Sequence, residues 1–171
     1  DRRVRVVADH DDDTVAFTDY HGIYINACNH ITWSLPTRLL RSMSLEGFNA
    51  HECGHNLFTD NRIWNSYFSK LEKGKFYPKM PDGLDSMQKL HACDILEAVL
   101  DETDTVPYQV IMSVAHALQN ILEDGYVDAR YSYEFPGSPA KGIALNNLRF
   151  ADTVPEISEM INRKYYDHSI V

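Results

Sequence analysis

The chain has 171 residues, of which 44% are hydrophobic and 24% are charged, proportions typical of a globular protein. Its formal net charge of −9 disfavours a nucleic-acid partner, because phosphate backbones bind basic surfaces. No apolar run is long enough to cross a bilayer and no signal peptide opens the chain, so no membrane partner is expected.

We expect a single domain over residues 1–171, excised from a longer chain because the first residue is Asp1 rather than methionine. The cysteines are Cys28, Cys53 and Cys93, and none forms a Cys-x-x-Cys pair. An odd number of cysteines disfavours a disulfide framework and favours a cytoplasmic protein.

The predicted elements begin with residues 9–13, DHDDD, as a solvated acidic turn. Residues 14–19 and 23–27 follow as the two strands of a β-hairpin, since they are rich in β-branched and aromatic residues and flank His21-Gly22. A helix is then predicted over residues 37–59, where apolar residues recur at helical spacing after Pro36.

The rest of the chain is predicted to be mainly helical. Residues 61–85 are expected to be irregular, with at most a short helix. Helices are predicted over residues 86–102 and 107–131, a loop over 132–142 and a last helix over 154–168. The predicted fold class is therefore α+β, with a small antiparallel sheet at the N-terminus and four or so helices around a cleft.

The helix over residues 37–59 contains the quintet His51-Glu52-Cys53-Gly54-His55. Residues four apart lie on one face of a helix, so the two histidines can present their imidazoles to one ion. Glu52 lies about 100° further round the helix, where it flanks that ion without binding it. This pattern is typical of a zinc hydrolase, in which the carboxylate takes a proton from the attacking water. The alternative is a polar face on a partly buried helix.

A catalytic zinc ion usually has three protein ligands, so a third is expected on a later helix. Glu123, in QNILEDGY, is the favoured candidate, and His91 and Glu97 are the alternatives.

A polar stripe at helical spacing accompanies Glu123, and its other members are His116, Gln119 and Asn120. Such a stripe is typical of a cleft wall, although a solvated helix face has the same pattern. His116, Asn120 and Asp124 are therefore candidates for supporting the metal ligands or contacting substrate. Asp60 is a further candidate, because its carboxylate can bond the second nitrogen of a ligating histidine.

These features resemble the zincin metallopeptidases, specifically the branch with a glutamate ligand, the gluzincins. The segment HECGHNLFTD carries the likeness, since that branch often has an aspartate where Asp60 stands. The resemblance implies a zincin-like fold, Zn²⁺ as cofactor, His51, His55 and Glu123 as its ligands, and Glu52 as general base.

Together with NILEDGYVDARY, the motif is similar to metallopeptidase domains joined to von Willebrand A-type modules, and N-x-L-E-D signatures also occur in a cobaltochelatase subunit with such a module. One departure concerns the aspartate that many gluzincins place four residues after the ligating glutamate: here that position is Val127, between Asp124 and Asp128. In zincins, an edge strand before the motif helix pairs with extended substrate. The resemblance gives residues 23–29 this role, with Asn26 or Asn29 contacting the substrate backbone.

The favoured function is a zinc-dependent metallopeptidase acting on peptide or protein substrates. The alternative is a zinc-containing binding or assembly module of a larger von Willebrand A-type protein, which does no hydrolysis and contacts other domains of the same chain. In a third interpretation the quintet is a coincidence in a metal-free helical domain.

Overall fold

The computed structural model describes residues 3–10 and 13–163, and its first elements form a three-stranded sheet. The strands β1 (Arg3–Val7), β2 (Ala16–Thr18) and β3 (Gly22–Asn26) lie in the order β1-β3-β2. β3 pairs antiparallel with β2 and parallel with β1. The sheet is therefore mixed, with β3 as its central strand, and the expectation of a purely antiparallel sheet is wrong because β1, which was not predicted, pairs parallel with β3.

The hairpin of β2 and β3 is the one predicted from the sequence. Its turn is closed by the carboxylate of Asp19, which accepts hydrogen bonds from the amides of His21 and Gly22 at 2.8 and 2.7 Å. β1 was not predicted, although charged and apolar residues alternate in RVRVV as they do in strands. Val4 and Val6 are both exposed, so the strand has no buried apolar face.

Helices follow the sheet and confirm the α+β class. The described elements are α1 (His30–Ser34), α2 (Arg38–Phe58), α3 (Asn61–Leu71), α4 (Ser86–Leu100), α5 (Thr105–Glu134), α6 (Ser138–Ala151) and α7 (Ile157–Arg163). Residues 11 and 12 of the predicted acidic turn, and residues 164–168 of the predicted last helix, lie outside the described residues. Within the described part of the chain, no helix is both long and apolar enough to span a membrane.

Two compact units share these elements. The first combines the chain up to Thr59 with the chain from Glu123 onward, and the second spans Asp60–Leu122. The expected organisation as a single domain stays a prediction.

The core of the first unit lies between the sheet and α2, where Ile23, Ile25, Ile31 and Phe48 cluster. α2 begins after Thr37, whose hydroxyl accepts a hydrogen bond from the Leu40 amide at 3.3 Å. Burying a side chain the size of Phe48 contributes roughly 2–3 kcal/mol. This packing holds one face of α2 against the sheet.

α6 packs on α2 at a crossing of two glycines, Gly47 and Gly142. A β-carbon on either residue would collide with the backbone of the other helix, so the close approach requires glycine on both sides. The sequence suggested a loop over residues 132–142 because of its prolines and glycines. The structure instead continues α5 to Glu134 and starts α6 at Ser138, since a proline in the first turn is compatible with a helix start.

The second unit contains α3, α4 and the first part of α5. The sequence suggested at most a short helix within the irregular segment 61–85, whereas α3 extends over 11 residues of it. Asp60 caps α3 by accepting a hydrogen bond from the Arg62 amide at 3.0 Å. α4 begins with a capping box between Asp85 and Gln88. Both helices thus begin at an aspartate that satisfies backbone amides.

Candidate metal centre

Two pairs of polar residues, each spaced four apart, face each other on α2 and α5. His51 and His55 lie on α2, and their Nε2 atoms are 3.1 Å apart. Asp124 and Asp128 lie on α5, one turn from each other. The two helices therefore bring two imidazoles and two carboxylates together.

Gly54 allows α5 to come this close to α2. A β-carbon at Gly54 would collide with Cγ1 of Val127, which is fully buried. The contact also fixes the rotation of α5, because Val127 points at α2 and its neighbours follow at about 100° per residue. Asp124, three residues before Val127, consequently lies on the face toward the histidines.

Asp124 completes a group of ligand atoms with the two histidines. Its Oδ1 lies 3.2 Å from Nε2 of His55 and 3.7 Å from Nε2 of His51. Among the described residues, His51, His55 and Asp124 form the one group of histidine, cysteine and carboxylate side chains close enough to hold a metal ion.

Glu123, the favoured third ligand in the sequence analysis, does not belong to this group. Its Oε1 accepts a hydrogen bond of 2.5 Å from the hydroxyl of Thr59 at the end of α2. The physical reason is the rotation of α5: adjacent side chains diverge by about 100°, so Glu123 and Asp124 point in different directions. The structure thus places the carboxylate that faces the Nε2 atoms of both histidines one residue later than expected.

Both imidazoles are held by their second nitrogen. Nδ1 of His51 lies 2.7 Å from Oδ1 of Asp128, and Nδ2 of Asn147 on α6 donates to the other oxygen of that carboxylate at 2.9 Å. Nδ1 of His55 lies 3.2 Å from the hydroxyl of Thr59. Each Nε2 is therefore left facing Asp124.

Charge around His51 favours its protonated form in the absence of metal. Burial alone lowers the pKa of this imidazole, but the hydrogen bond to Asp128 and the neighbouring carboxylates outweigh burial and raise it. A site that attracts a proton this way also attracts a metal cation, and the two compete for Nε2.

Glu52 is buried beside the histidines, with 6% of its surface exposed. Burial raises the pKa of its carboxyl group above the ordinary value, against the opposing effect of the two imidazoles, and Asp124 raises it further. The residue lines an open pocket of about 210 Å³ together with His51 and Asp124. Apolar side chains complete much of the lining, including Phe48, Ile143 and Phe150.

Three further residues predicted for the site belong to the second unit and have contacts there. Asp60 forms an ion pair with Arg62 at 2.8 Å. The ring of His116 stacks on Phe68 with a centroid distance of 3.8 Å. Asn120 is exposed on α5. The role suggested for Asp60, bonding the second nitrogen of a histidine, is filled by its neighbour Thr59 at His55 and by Asp128 at His51.

The alternative ligands His91 and Glu97 are both exposed on α4 of the second unit. His91 lies 3.9 Å from Asp94 on the same helix. This distance is ordinary for an exposed pair on one helix face. The proposed role of His91 and Glu97 as metal ligands stays a prediction.

The strand expected to pair with substrate is the central strand β3, both of whose edges are occupied by β1 and β2. Asn26, expected to contact substrate, is fully buried and binds the backbone of Asp9 and Cys28. Asn29 caps α1 through the Thr32 amide at 2.8 Å. Both asparagines therefore stabilise the fold. β2 is an edge strand, and the pocket is lined by Ala16 at its start and by Val15 just before it.

Sequence reasoning missed Thr59 and Asn147, and it treated Asp128 only as a neighbour of Val127. The spacing of Asp124 and Asp128 was a usable signal, because it repeats the four-residue spacing of the histidines. No local signal marks Asn147, since α6 itself was not predicted. Compared with family models, curated proteins and solved structures, the chain matches none.

Proposed function

We propose that the protein is a zinc-dependent peptidase in which His51, His55 and Asp124 hold the metal ion and Glu52 is the general base. The observation that carries the proposal is the spacing of the three ligand atoms, at 3.1, 3.2 and 3.7 Å from one another. Bonds of about 2.0–2.2 Å from a tetrahedral zinc ion place neighbouring ligand atoms roughly 3.4 Å apart. The residues present therefore fit this ion.

The donor set also fits a catalytic rather than a structural site. Two imidazoles and one carboxylate suit zinc, and structural zinc sites have four protein ligands whereas catalytic sites keep one position open. The group found among the described residues has three members. When bound, the ion supplies a Lewis acid that lowers the pKa of a coordinated water and polarises the carbonyl to be attacked.

Glu52 performs the proton transfers. Glu52 lines the same pocket as His51 and Asp124, and in this proposal its carboxylate contacts the molecule bound there. It takes a proton from the water as the water oxygen bonds to the carbonyl carbon, and it passes that proton to the nitrogen that leaves when the peptide bond breaks. In the metal-free chain burial raises the pKa of this carboxyl group, and a higher pKa makes a carboxylate a stronger base.

An extended peptide is the proposed substrate. β2 is an edge strand, and an edge strand has one row of backbone donors and acceptors directed away from its sheet. A peptide paired with that row passes the pocket at Val15 and Ala16. The zincin-like fold and the relation to von Willebrand A-type proteins remain proposals on the likeness of the motif, and the cytoplasmic location remains a proposal on the odd number of cysteines.

The non-hydrolytic binding module remains the second candidate. It predicts a metal site whose coordination positions are all filled by the protein, so it gives no reason for a buried carboxylate at Glu52. Replacing Glu52 therefore separates the two functions.

The test measures zinc content and peptide cleavage for the wild type, Glu52→Gln and the control Glu102→Gln, an exposed glutamate of the second unit. Cleavage of an unstructured peptide library is followed by mass spectrometry. We expect about one zinc ion per chain in all three and cleavage reduced about 10²–10⁴-fold in Glu52→Gln alone. Zinc without cleavage in the wild type would favour the binding module, and no zinc would contradict both.

A further inference from the structure

Glu123 and Thr59 form a chain of hydrogen bonds that ends on a proposed metal ligand. Oε1 of Glu123 lies 2.5 Å from Oγ1 of Thr59, and Oγ1 of Thr59 lies 3.2 Å from Nδ1 of His55. All three residues belong to the first unit. We propose that Glu123 is a positioning residue that acts through the hydroxyl of Thr59 to set which nitrogen of His55 faces the metal.

The direction of the hydrogen bonds follows from the available protons. An ionised carboxylate only accepts, so the single proton of the Thr59 hydroxyl points at Glu123. Toward His55 the hydroxyl oxygen can then only accept, so this contact favours the tautomer with its proton on Nδ1, whereas Asp124 Oδ1, 3.2 Å from Nε2, favours the other tautomer. In the tautomer favoured by Thr59 the lone pair of the neutral ring lies on Nε2, where a metal ion needs it.

At His51 the same tautomer is favoured by a single hydrogen bond, since Nδ1 bonds directly to the carboxylate of Asp128 at 2.7 Å. Each proposed ligand histidine is thus controlled by one carboxylate of α5, one directly and one through a hydroxyl. The inference rests on the proposed metal site, but it assigns to Glu123 a role distinct from ligation and independent of hydrolysis.

The consequences of losing each member differ in a way that can be measured. Thr59→Val removes the hydroxyl with little change of shape, and Glu123→Ala frees the hydroxyl to donate its proton to Nδ1. Either change weakens the preference for the metal-binding tautomer, and loss of such a supporting contact typically lowers metal affinity 10–100-fold. Thr59→Ser retains the hydroxyl and should restore nearly all of the affinity.

The experiment is a double-mutant cycle on zinc affinity, measured by competition with a chelator. We expect Thr59→Val and Glu123→Ala each to weaken binding about 10-fold or more, and the double variant to be no weaker than Thr59→Val alone. Glu134→Ala, which removes an exposed glutamate of the same helix, is the control and should leave affinity unchanged. If Glu123→Ala weakens binding far more than Thr59→Val and the effects add, Glu123 acts independently of Thr59 and the proposal is wrong.

A second readout does not need the metal. ¹⁵N nuclear magnetic resonance of the metal-free chain, at a pH where imidazoles are neutral, reports which nitrogen of His55 carries the proton. We expect a larger fraction of Nδ1–H in the wild type and in Thr59→Ser than in Thr59→Val and Glu123→Ala. Equal fractions in the wild type and in the last two variants would overturn the inference. Failure of the wild type to bind zinc would instead contradict the proposed function, and this readout would still decide the role of Glu123.

Discussion

Histidine and aspartate lie within ion-pair distance in both compact units, but in different settings. On α4 of the second unit, His91 and Asp94 are 3.9 Å apart, with 66% and 60% of their side chains exposed. In the first unit, His51 and Asp128 come from separate helices, are 2.7 Å apart, and are 22% and 14% exposed. Residue type is the same in the two places. The convergence of helices and the partial burial distinguish the candidate metal centre from an ordinary charged surface.

The largest effect is expected from removing the carboxylate of the centre. Asp124→Ala should weaken zinc binding by about 100-fold or more, because two ligands remain where three held the ion. Asp94→Ala is the matched control in the second unit and should leave affinity unchanged. Zinc affinity is measured by competition with a chelator. If the two variants bind zinc equally well, Asp124 contributes no more to zinc binding than Asp94 does, and its role as a ligand is wrong.

The contact between α2 and α5 gives the next largest effect. Gly54→Ala forces a β-carbon against Val127 and should lower the free energy of unfolding by about 1–3 kcal/mol. Gly125→Ala is the control, because no atom lies within 4 Å of a β-carbon there, and alanine is favoured over glycine in a helix by up to about 1 kcal/mol. In chemical denaturation, Gly54→Ala should therefore lower the free energy of unfolding and Gly125→Ala should raise it. A stabilising Gly54→Ala would show that the close approach does not depend on glycine.

A smaller effect is expected from the support of His51. Asp128→Asn keeps the shape of the side chain but removes its charge, and should weaken zinc binding about 10-fold. The same substitution at Asp94 should have no effect. A variant of Asp128 that binds zinc as well as the wild type would mean that His51 is oriented by packing alone.

The smallest effect is expected at the exposed pair of Asp60 and Arg62. The hydrogen bonds and charge of Arg62 lower the pKa of Asp60 from 3.8 to about 2. The ionised form thus stabilises the fold above about pH 4, and this contribution is lost as the pH falls through about 2. Asp60→Asn retains a good helix cap, so its melting temperature should differ slightly from that of the wild type near neutral pH and converge with it in acid. A difference in melting temperature that grows as the pH falls would contradict this prediction.

How much of the site the sequence predicts depends on whether the information is local. The four-residue spacing of His51 and His55 depends only on helical geometry, so the face they share was predictable. The choice between Glu123 and Asp124 depends on the rotation of α5, which is fixed by the contact of Val127 with Gly54. That contact joins residues far apart in the chain, and one sequence gives no measure of it.

The same distinction explains the fold. The hairpin and α2 have local patterns of alternation and helical spacing, and both were predicted. β1 pairs with a strand beyond the hairpin turn and exposes Val4 and Val6, and α6 starts in a segment whose proline and glycine favour a loop. These two elements are set by their partners, β3 and α2, more than by their own residues.

The hydrogen bond between Thr59 and Glu123 has a topological consequence. The chain leaves the first unit at Thr59 and re-enters it at Glu123, so the second unit is an insertion whose two attachment points touch. A short linker from residue 59 to residue 123 would close this gap at a low entropic cost, since short loops order few residues. Such a minimal chain would contain His51, Glu52, His55, Asp124 and Asp128, and the same junction is where a different insert could be grafted.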